Sequence, residues 1–209
     1  MLIQKNELLD QLKSLYEKYE GTMGAINLFG IGDDSDQDQD IWNDWLGLNI
    51  GEDIWIWKGT TNPGKDATMH KEGGAAHFAT GFHPKIWCLD THAPSNPSFA
   101  HEALCQRINR GCGAIRYWRD VNRTFKFDEA VNKYETSKEC YMNFHRAYKA
   151  QDVKVIGNYS EGCIVTNHAQ DLEDVLKKIK AVPEFAKNPK GYLFSYLLTS
   201  IDEWEGLEV

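Results

Sequence analysis

The spacing of apolar residues predicts an amphipathic helix near each end of the chain. Between residues 4 and 19, apolar side chains recur every three or four positions with charged residues between them, which places them on one helical face. These residues are Leu8, Leu12, Leu15, Tyr16 and Tyr19. Gly21 and Gly24 end the helix, and we expect residues 1–24 to form a helical cover on a β core.

The second helix is predicted after residue 167. Asn167-His168-Ala169-Gln170 has the pattern of a capping box, and Pro183 ends the helical pattern. One face carries four aliphatic residues, namely Leu172, Val175, Leu176 and Ile179. We expect this face to pack behind the strand that precedes the helix.

Short β-branched and aromatic runs between the two helices predict strands, and glycine- or proline-rich segments between them predict turns. The predicted strands cover residues 53–57, 85–89, 113–118, 140–146, the run that begins at Ile164, and 191–198, with a turn at 59–64 and a loop at 91–100. Several short strands with flanking helices predict a mainly β (α+β) fold, a sandwich or barrel with helical covers. We find no repeat or linker, so a single domain, 1–209, is expected.

Composition narrows the classes of partner. The net charge of −8 argues against nucleic acid, because phosphate binding needs clustered Lys and Arg. No apolar run approaches the roughly 20 residues of a membrane helix, so we expect no membrane partner. Five cysteines are an odd number, which leaves at least one free thiol.

Two sequence features suggest metals, and neither has the spacing of a known site. The acidic segment 33–40 resembles the start of a calcium loop, but Gln39 and Trp45 occupy the positions of the turn glycine and the closing glutamate. A solvated loop is the interpretation we prefer. The histidines at 70, 77, 83, 92 and 101 lack the spacing of a zinc site. We therefore expect no metal and no cofactor.

A cysteine and a histidine at the ends of two predicted strands are the candidate catalytic pair. Cys163 precedes a β-branched run, and His145 ends the strand at 140–146. We expect His145 to take the thiol proton, giving a thiolate–imidazolium pair with a lowered thiol pKa. The amides of Gly162 and Cys163 are candidates for an oxyanion hole, and Ser160 is a candidate to hydrogen-bond either the turn or the substrate. We interpret Cys105 and Cys112 as structural.

The spacing of these residues resembles a known signature. His145, fourteen intervening residues and Ser160-Glu161-Gly162-Cys163-Ile164 resemble the motif of L,D-transpeptidase (YkuD-type) catalytic domains. A looser resemblance, to a phage and bacterial branch of that family, covers residues 26–31, 57–64, 81–83, 103–106 and 119–122. It implies an L,D-transpeptidase-like β-sandwich or barrel, in which a backbone carbonyl orients the histidine.

Two positions depart from the family pattern. The usual histidine before the motif glycine is Glu161, and the arginine that often follows Gly-Cys-Ile, the usual contact for a substrate carboxylate, is Val165. Arg146, beside the predicted base, is our substitute for that contact. His83 lies in a matched segment, and we expect it to line the substrate cleft, with a structural role as the alternative.

The resemblance implies a cysteine enzyme that acts on peptidoglycan stem peptides. It would attack the L-centre carbonyl of the diaminopimelate–D-amino acid bond and form an acyl-thioester. We favour hydrolysis, by an L,D-carboxypeptidase or endopeptidase, over transpeptidation that forms cross-links. A binding or virion structural module without turnover, which Glu161 and Val165 favour, and a metal-dependent hydrolase are the alternatives.

The N-terminal residues bear on where the protein would act. They lack the basic start and apolar core of a signal peptide. Either the chain is a processed form, or another device carries it to the cell wall. We expect the second, a phage protein or delivered effector, made in the cytoplasm, that reaches the cell wall after lysis or delivery.

Overall fold

The computed structural model describes residues 5–33, 40–124, 133–148 and 153–204. Within these ranges the chain is mainly β, with a closed eight-stranded barrel, a separate three-stranded sheet and four α-helices. The strands are β1 (Asn27–Gly32), β2 (Asp44–Ile50), β3 (Asp53–Thr60), β4 (Ala75–Phe78), β5 (Gly81–His92), β6 (His101–Cys105), β7 (Ile115–Asp120), β8 (Glu135–Ser137), β9 (Phe144–Arg146), β10 (Ile164–Thr166) and β11 (Phe194–Ser200). The helices are α1 (Lys5–Lys18), α2 (Lys65–His70), α3 (Ala169–Lys180) and α4 (Pro183–Lys187).

The barrel follows the strand order β1-β11-β5-β6-β9-β10-β3-β2, and the small sheet the order β4-β7-β8. Most neighbouring strands are antiparallel, but β1 with β11 and β9 with β10 are parallel. The parallel pairing of β9 and β10 places Phe144 opposite Ile164 and His145 opposite Val165. The residues that precede these two strands therefore meet at the same edge of the barrel.

Two apolar clusters hold the layers together. The larger fills the barrel around Trp87, Phe144 and Tyr196 and extends to the buried face of α3. The smaller joins α1 to the barrel. At its centre Phe29 stacks on Trp204 with ring centroids 5.7 Å apart. The predicted N-terminal helix is confirmed, with Leu8, Leu12, Leu15 and Tyr16 on its buried face.

Several predicted boundaries were wrong. Only residues 144–146 of the predicted strand 140–146 are extended, because the Gln106 side chain accepts the Tyr141 N–H at 2.9 Å and draws the preceding residues away from the sheet. Strand β5 begins at Gly81 and continues to His92, beyond the predicted 85–89 at both ends. The strand predicted at 191–198 is Phe194–Ser200.

The capping box at residues 167–170 is not formed. Helix α3 begins at Ala169 with His168 as its N-cap, and no side chain caps it. The helix ends at Lys180, and Pro183 opens the short helix α4 instead of ending α3. The four predicted aliphatic residues do form the buried face of α3.

Only part of the acidic segment 33–40 lies within the described ranges. Residues 34–39 of the acidic segment lie outside the described residues, so the calcium-loop interpretation stays untested. Within the described ranges, no helix has the length and apolar character needed to cross a membrane.

Candidate active site

The loop before β10 presents Cys163 through hydrogen bonds made by Ser160. The Ser160 hydroxyl donates to the Cys163 carbonyl at 2.8 Å and accepts the Gly162 N–H at 3.2 Å. The Ser160 carbonyl accepts the Gly64 N–H at 2.9 Å. Ser160 is fully buried. Of its two expected roles, the structure shows the one that fixes the turn, and the assignment to substrate binding is corrected.

Gly162 is required by the backbone of this loop. Its φ is +127°, and a Cβ built there would lie 2.4 Å from the Ala76 carbonyl oxygen of β4. The glycine thus allows the nucleophile loop to pack on the small sheet. Because Ser160 already accepts its N–H, the amide of Cys163 is the remaining candidate oxyanion donor from this pair.

His145 is held by a backbone carbonyl. Its Nδ1 lies 2.9 Å from the Arg146 carbonyl oxygen, an acceptor that places the ring proton on Nδ1 and leaves a lone pair on Nε2. The ring is 5 % exposed, so few other orientations are open to it. A backbone carbonyl thus orients the imidazole, as the resemblance implied.

Cys163 and His145 line one cavity of about 400 Å³. Ile164 of β10 pairs with Phe144 of β9, so the residues before them, Cys163 and Asn143, are neighbours. The Asn143 N–H lies 3.3 Å from the Cys163 sulfur. The cavity is also lined by Lys71, Ala76, His92, Arg119, Cys140, Tyr141, Met142, Asn158, Tyr159 and Glu161. The two predicted catalytic side chains are therefore brought to the same space.

The pKa values of Cys163 and His145 are shifted in the directions opposite to those expected for an ion pair. Burial raises the pKa of the Cys163 thiol to about 12, against a smaller opposite effect of the Asn143 N–H. Burial also lowers the pKa of His145 well below 6.5, and His92 acts in the same direction. Although Cys163 is partly exposed, both shifts favour the neutral forms at pH 7, a thiol beside a neutral imidazole, over the predicted thiolate–imidazolium pair.

Two predicted substrate-binding residues lie elsewhere. His83 is 3 % exposed, its Nε2 lies 2.7 Å from the Ala79 carbonyl oxygen, and it packs edge-on against Phe78. It is a core histidine, which corrects its expected place in the cleft. Arg146 lines a neighbouring cavity instead of the thiol cavity, and its Nη1 donates to the Ala147 carbonyl at 3.0 Å.

The cations of the thiol cavity were missed by sequence reasoning. Lys71, at the end of α2, forms an ion pair with Glu161, and Arg119 of β7 pairs with Glu135 at 3.4 Å. Lys71 belongs to no matched segment, Arg119 lies in the matched segment 119–122 without an assigned role, and only the tertiary fold brings the two cations to Cys163. Glu161, which stands where the resembled motif has a histidine, therefore has a local partner.

A group of three imidazoles was also missed. The rings of His92 and His145 stack with centroids 4.0 Å apart, and His101 lies 5.2 Å from His92. The histidine-rich composition was noted, but the pairing of His92 with His101 across β5 and β6 was not. Among the described residues, no group of three or more His, Cys, Asp or Glu side chains is arranged to hold a metal ion.

We compared the chain with protein-family models, curated proteins and solved structures. No family model matches the chain, and neither the curated proteins nor the solved structures contain a significant match.

Proposed function

We propose that the chain is a cysteine-dependent, L,D-transpeptidase-like enzyme of peptidoglycan stem peptides. The observation that carries this proposal is the placement of Cys163 and His145 at one cavity, with His145 oriented by the Arg146 carbonyl. The bond attacked is that between the L-centre of diaminopimelate and a D-amino acid. Hydrolysis, as an L,D-carboxypeptidase or endopeptidase, is the outcome we favour over cross-linking.

Because Cys163 starts as a thiol and His145 as a neutral imidazole, the thiol proton has to be transferred during the reaction. As the Cys163 sulfur bonds to the carbonyl carbon, His145 Nε2 takes the thiol proton, and the Cys163 amide stabilises the oxyanion. Collapse of the tetrahedral intermediate breaks the C–N bond, and the imidazolium returns its proton to the leaving amine. Water then attacks the thioester with His145 again as base, which releases the acid and restores the thiol. An amine in place of water gives a cross-link.

Two cations of the cavity support a replacement for the arginine that the L,D-transpeptidase motif has after Gly-Cys-Ile. Val165 is fully buried and cannot reach a ligand. Lys71 and Arg119 line the cavity beside Cys163, and each can bind a carboxylate. We therefore assign the carboxylate contact of a stem peptide to these two cations instead of Arg146.

Purified muropeptides incubated with the protein test this function. We expect a mass loss that corresponds to one D-amino acid or to a broken cross-link, and none with Cys163→Ala. Cys105→Ala and Cys112→Ala are the matched controls, because both thiols are buried away from the cavity, and both should retain turnover. Full turnover by Cys163→Ala would overturn the assignment of the nucleophile.

A binding or virion structural module on the same fold is the second candidate. The raised pKa of the Cys163 thiol favours it, because an unassisted thiol is a poor nucleophile. Saturable muropeptide binding without any change of mass, equal in the wild-type protein and Cys163→Ala, would select this candidate.

A further inference from the structure

The ring of His92 stacks on the ring of His145, the proposed base. His92 is the last residue of β5, and its ring covers one face of His145 with centroids 4.0 Å apart and planes inclined by 15°. Both rings line the thiol cavity and also a second cavity of about 470 Å³. His92 is thus the aromatic neighbour that separates one face of His145 from solvent in these cavities.

Asn143 connects His92 to the nucleophile and fixes its tautomer. The Asn143 side-chain oxygen accepts the Gln106 N–H at 2.9 Å, so the amide nitrogen is the atom that lies 3.2 Å from His92 Nδ1. His92 Nδ1 is therefore an acceptor, and its ring proton is on Nε2. The backbone N–H of the same asparagine contacts the Cys163 sulfur.

We propose that His92 is a positioning residue, whose ring, held by Asn143, keeps His145 oriented and in its neutral, basic form. This role rests on the proposed function for its catalytic meaning. The physical reason is that the stacked ring keeps water from one face of His145, and a charged imidazolium is costly where water is excluded. A base that must accept the thiol proton during turnover has to be unprotonated beforehand.

The other groups around His145 act in the same sense. His101 of β6 lies 5.9 Å away and is held by the Phe99 carbonyl, and Arg146 is adjacent in β9. Both lower the pKa of His145. Burial raises the pKa of the Cys163 thiol, which lies before β10. The carboxylate of Glu173 in α3 raises the pKa of Arg146. His92 differs from these groups because it touches the imidazole face directly.

Ring titration of His145 by NMR tests the proposal in the full chain. The signal is assigned as the one lost in His145→Gln. We expect it to titrate well below the ordinary histidine range in the wild-type protein and to move up by about one pH unit or more in His92→Ala. In His92→Phe the ring still covers His145, so the titration should stay near that of the wild type. An unchanged titration in His92→Ala, or an equal shift in both variants, would overturn the proposal.

A second variant and the pH dependence of muropeptide turnover complete the test. If His92→Ala does not fold, His92→Asn removes the ring with less loss of volume, and the same shift is expected. On muropeptides, the acid limb of the rate profile should move to higher pH in the ring-less variant and not in His92→Phe. If the His145 titration shifts in His92→Ala but the wild-type protein does not turn over muropeptides, only the proposed function is rejected. If the wild-type protein turns over muropeptides but the titration does not shift in His92→Ala, only the role of His92 is rejected.

Discussion

Cys163 and His145 lie in surroundings that disfavour charge on either side chain, and this determines how the thiol reacts. Since burial raises its pKa to about 12, the thiolate fraction is small at neutral pH. We expect the alkylation rate of Cys163 by iodoacetamide to rise by about tenfold per pH unit between about pH 7 and 9. Peptide mapping by mass spectrometry would identify the modified cysteine.

The unfolded protein provides the control for that measurement. In denaturant, Cys163 should react as an ordinary thiol and begin to level off near its usual pKa of about 8.5. A rate in the folded protein that is already constant below about pH 8 would show a preformed ion pair and contradict the neutral resting site.

His145→Gln removes the proposed base and retains a polar side chain. We expect muropeptide turnover to fall by about 100-fold or more, the usual contribution of a general base, because glutamine cannot accept the thiol proton. The matched control is His83→Gln, another buried histidine that hydrogen-bonds a backbone carbonyl but lies outside the thiol cavity. Its turnover per folded molecule should be close to that of the wild type. A folded His145→Gln protein with full activity would reject His145 as the base.

At the scale of the element, the nucleophile loop depends on Gly162. In Gly162→Ala the new methyl group would clash with the Ala76 carbonyl at 2.4 Å, and φ is +127°. Gly51→Ala is the control, since Gly51 also has a positive φ of +59° but nothing lies within 4 Å of the added Cβ. We expect Gly51→Ala to cost about 1 kcal/mol of the free energy of unfolding, the usual penalty for a left-handed alanine.

The two glycine variants separate loop geometry from simple backbone strain. Gly162→Ala should cost at least about 2 kcal/mol more than Gly51→Ala by urea unfolding, and turnover should be lost because Cys163 moves. Equal stability and full turnover in Gly162→Ala would show that the contact with β4 does not position the nucleophile.

At the scale of the whole molecule, buried histidines predict sensitivity to acid. Burial lowers the pKa of His77 to about 3 and that of His83 to about 4. Because the folded pKa lies below the unfolded value, the unfolded chain binds more protons below about pH 6.5, and stability is lost as the pH falls towards the folded pKa. At about pH 5.5 each of these two histidines should cost roughly 1.4 kcal/mol, and His145 acts in the same direction.

Urea unfolding at pH 7.5 and 5.5 measures this loss. The unfolding midpoint should be lower at the acidic pH, and His83→Gln, which cannot be protonated, should show a smaller difference between the two conditions. An unfolding midpoint that does not change with pH would contradict neutral, buried histidines.

Local patterns in the sequence were sufficient for several elements. The three- and four-residue periodicity located the buried faces of α1 and α3, because a helical face depends on residues close in the chain. The β-branched run after Cys163 forms β10 as predicted, and the predicted strand that carries His145 exists as the shorter β9, which continues to Arg146. These two strands pair in parallel. The catalytic roles of the two residues stay predictions.

Only the tertiary structure decided what surrounds the thiol. The hydrogen bond from Tyr141 to Gln106 lies in the first part of the strand predicted at 140–146, which is not extended. The pairing of β5 with β6 brought His92 and His101 to His145. Lys71 and Arg119 reach the cavity from α2 and β7. Strand register and barrel closure join residues that are distant in the chain, and no local periodicity encodes them. The burial that shifts the pKa values of Cys163 and His145 towards their neutral forms likewise depends on the whole fold, which the sequence alone does not contain.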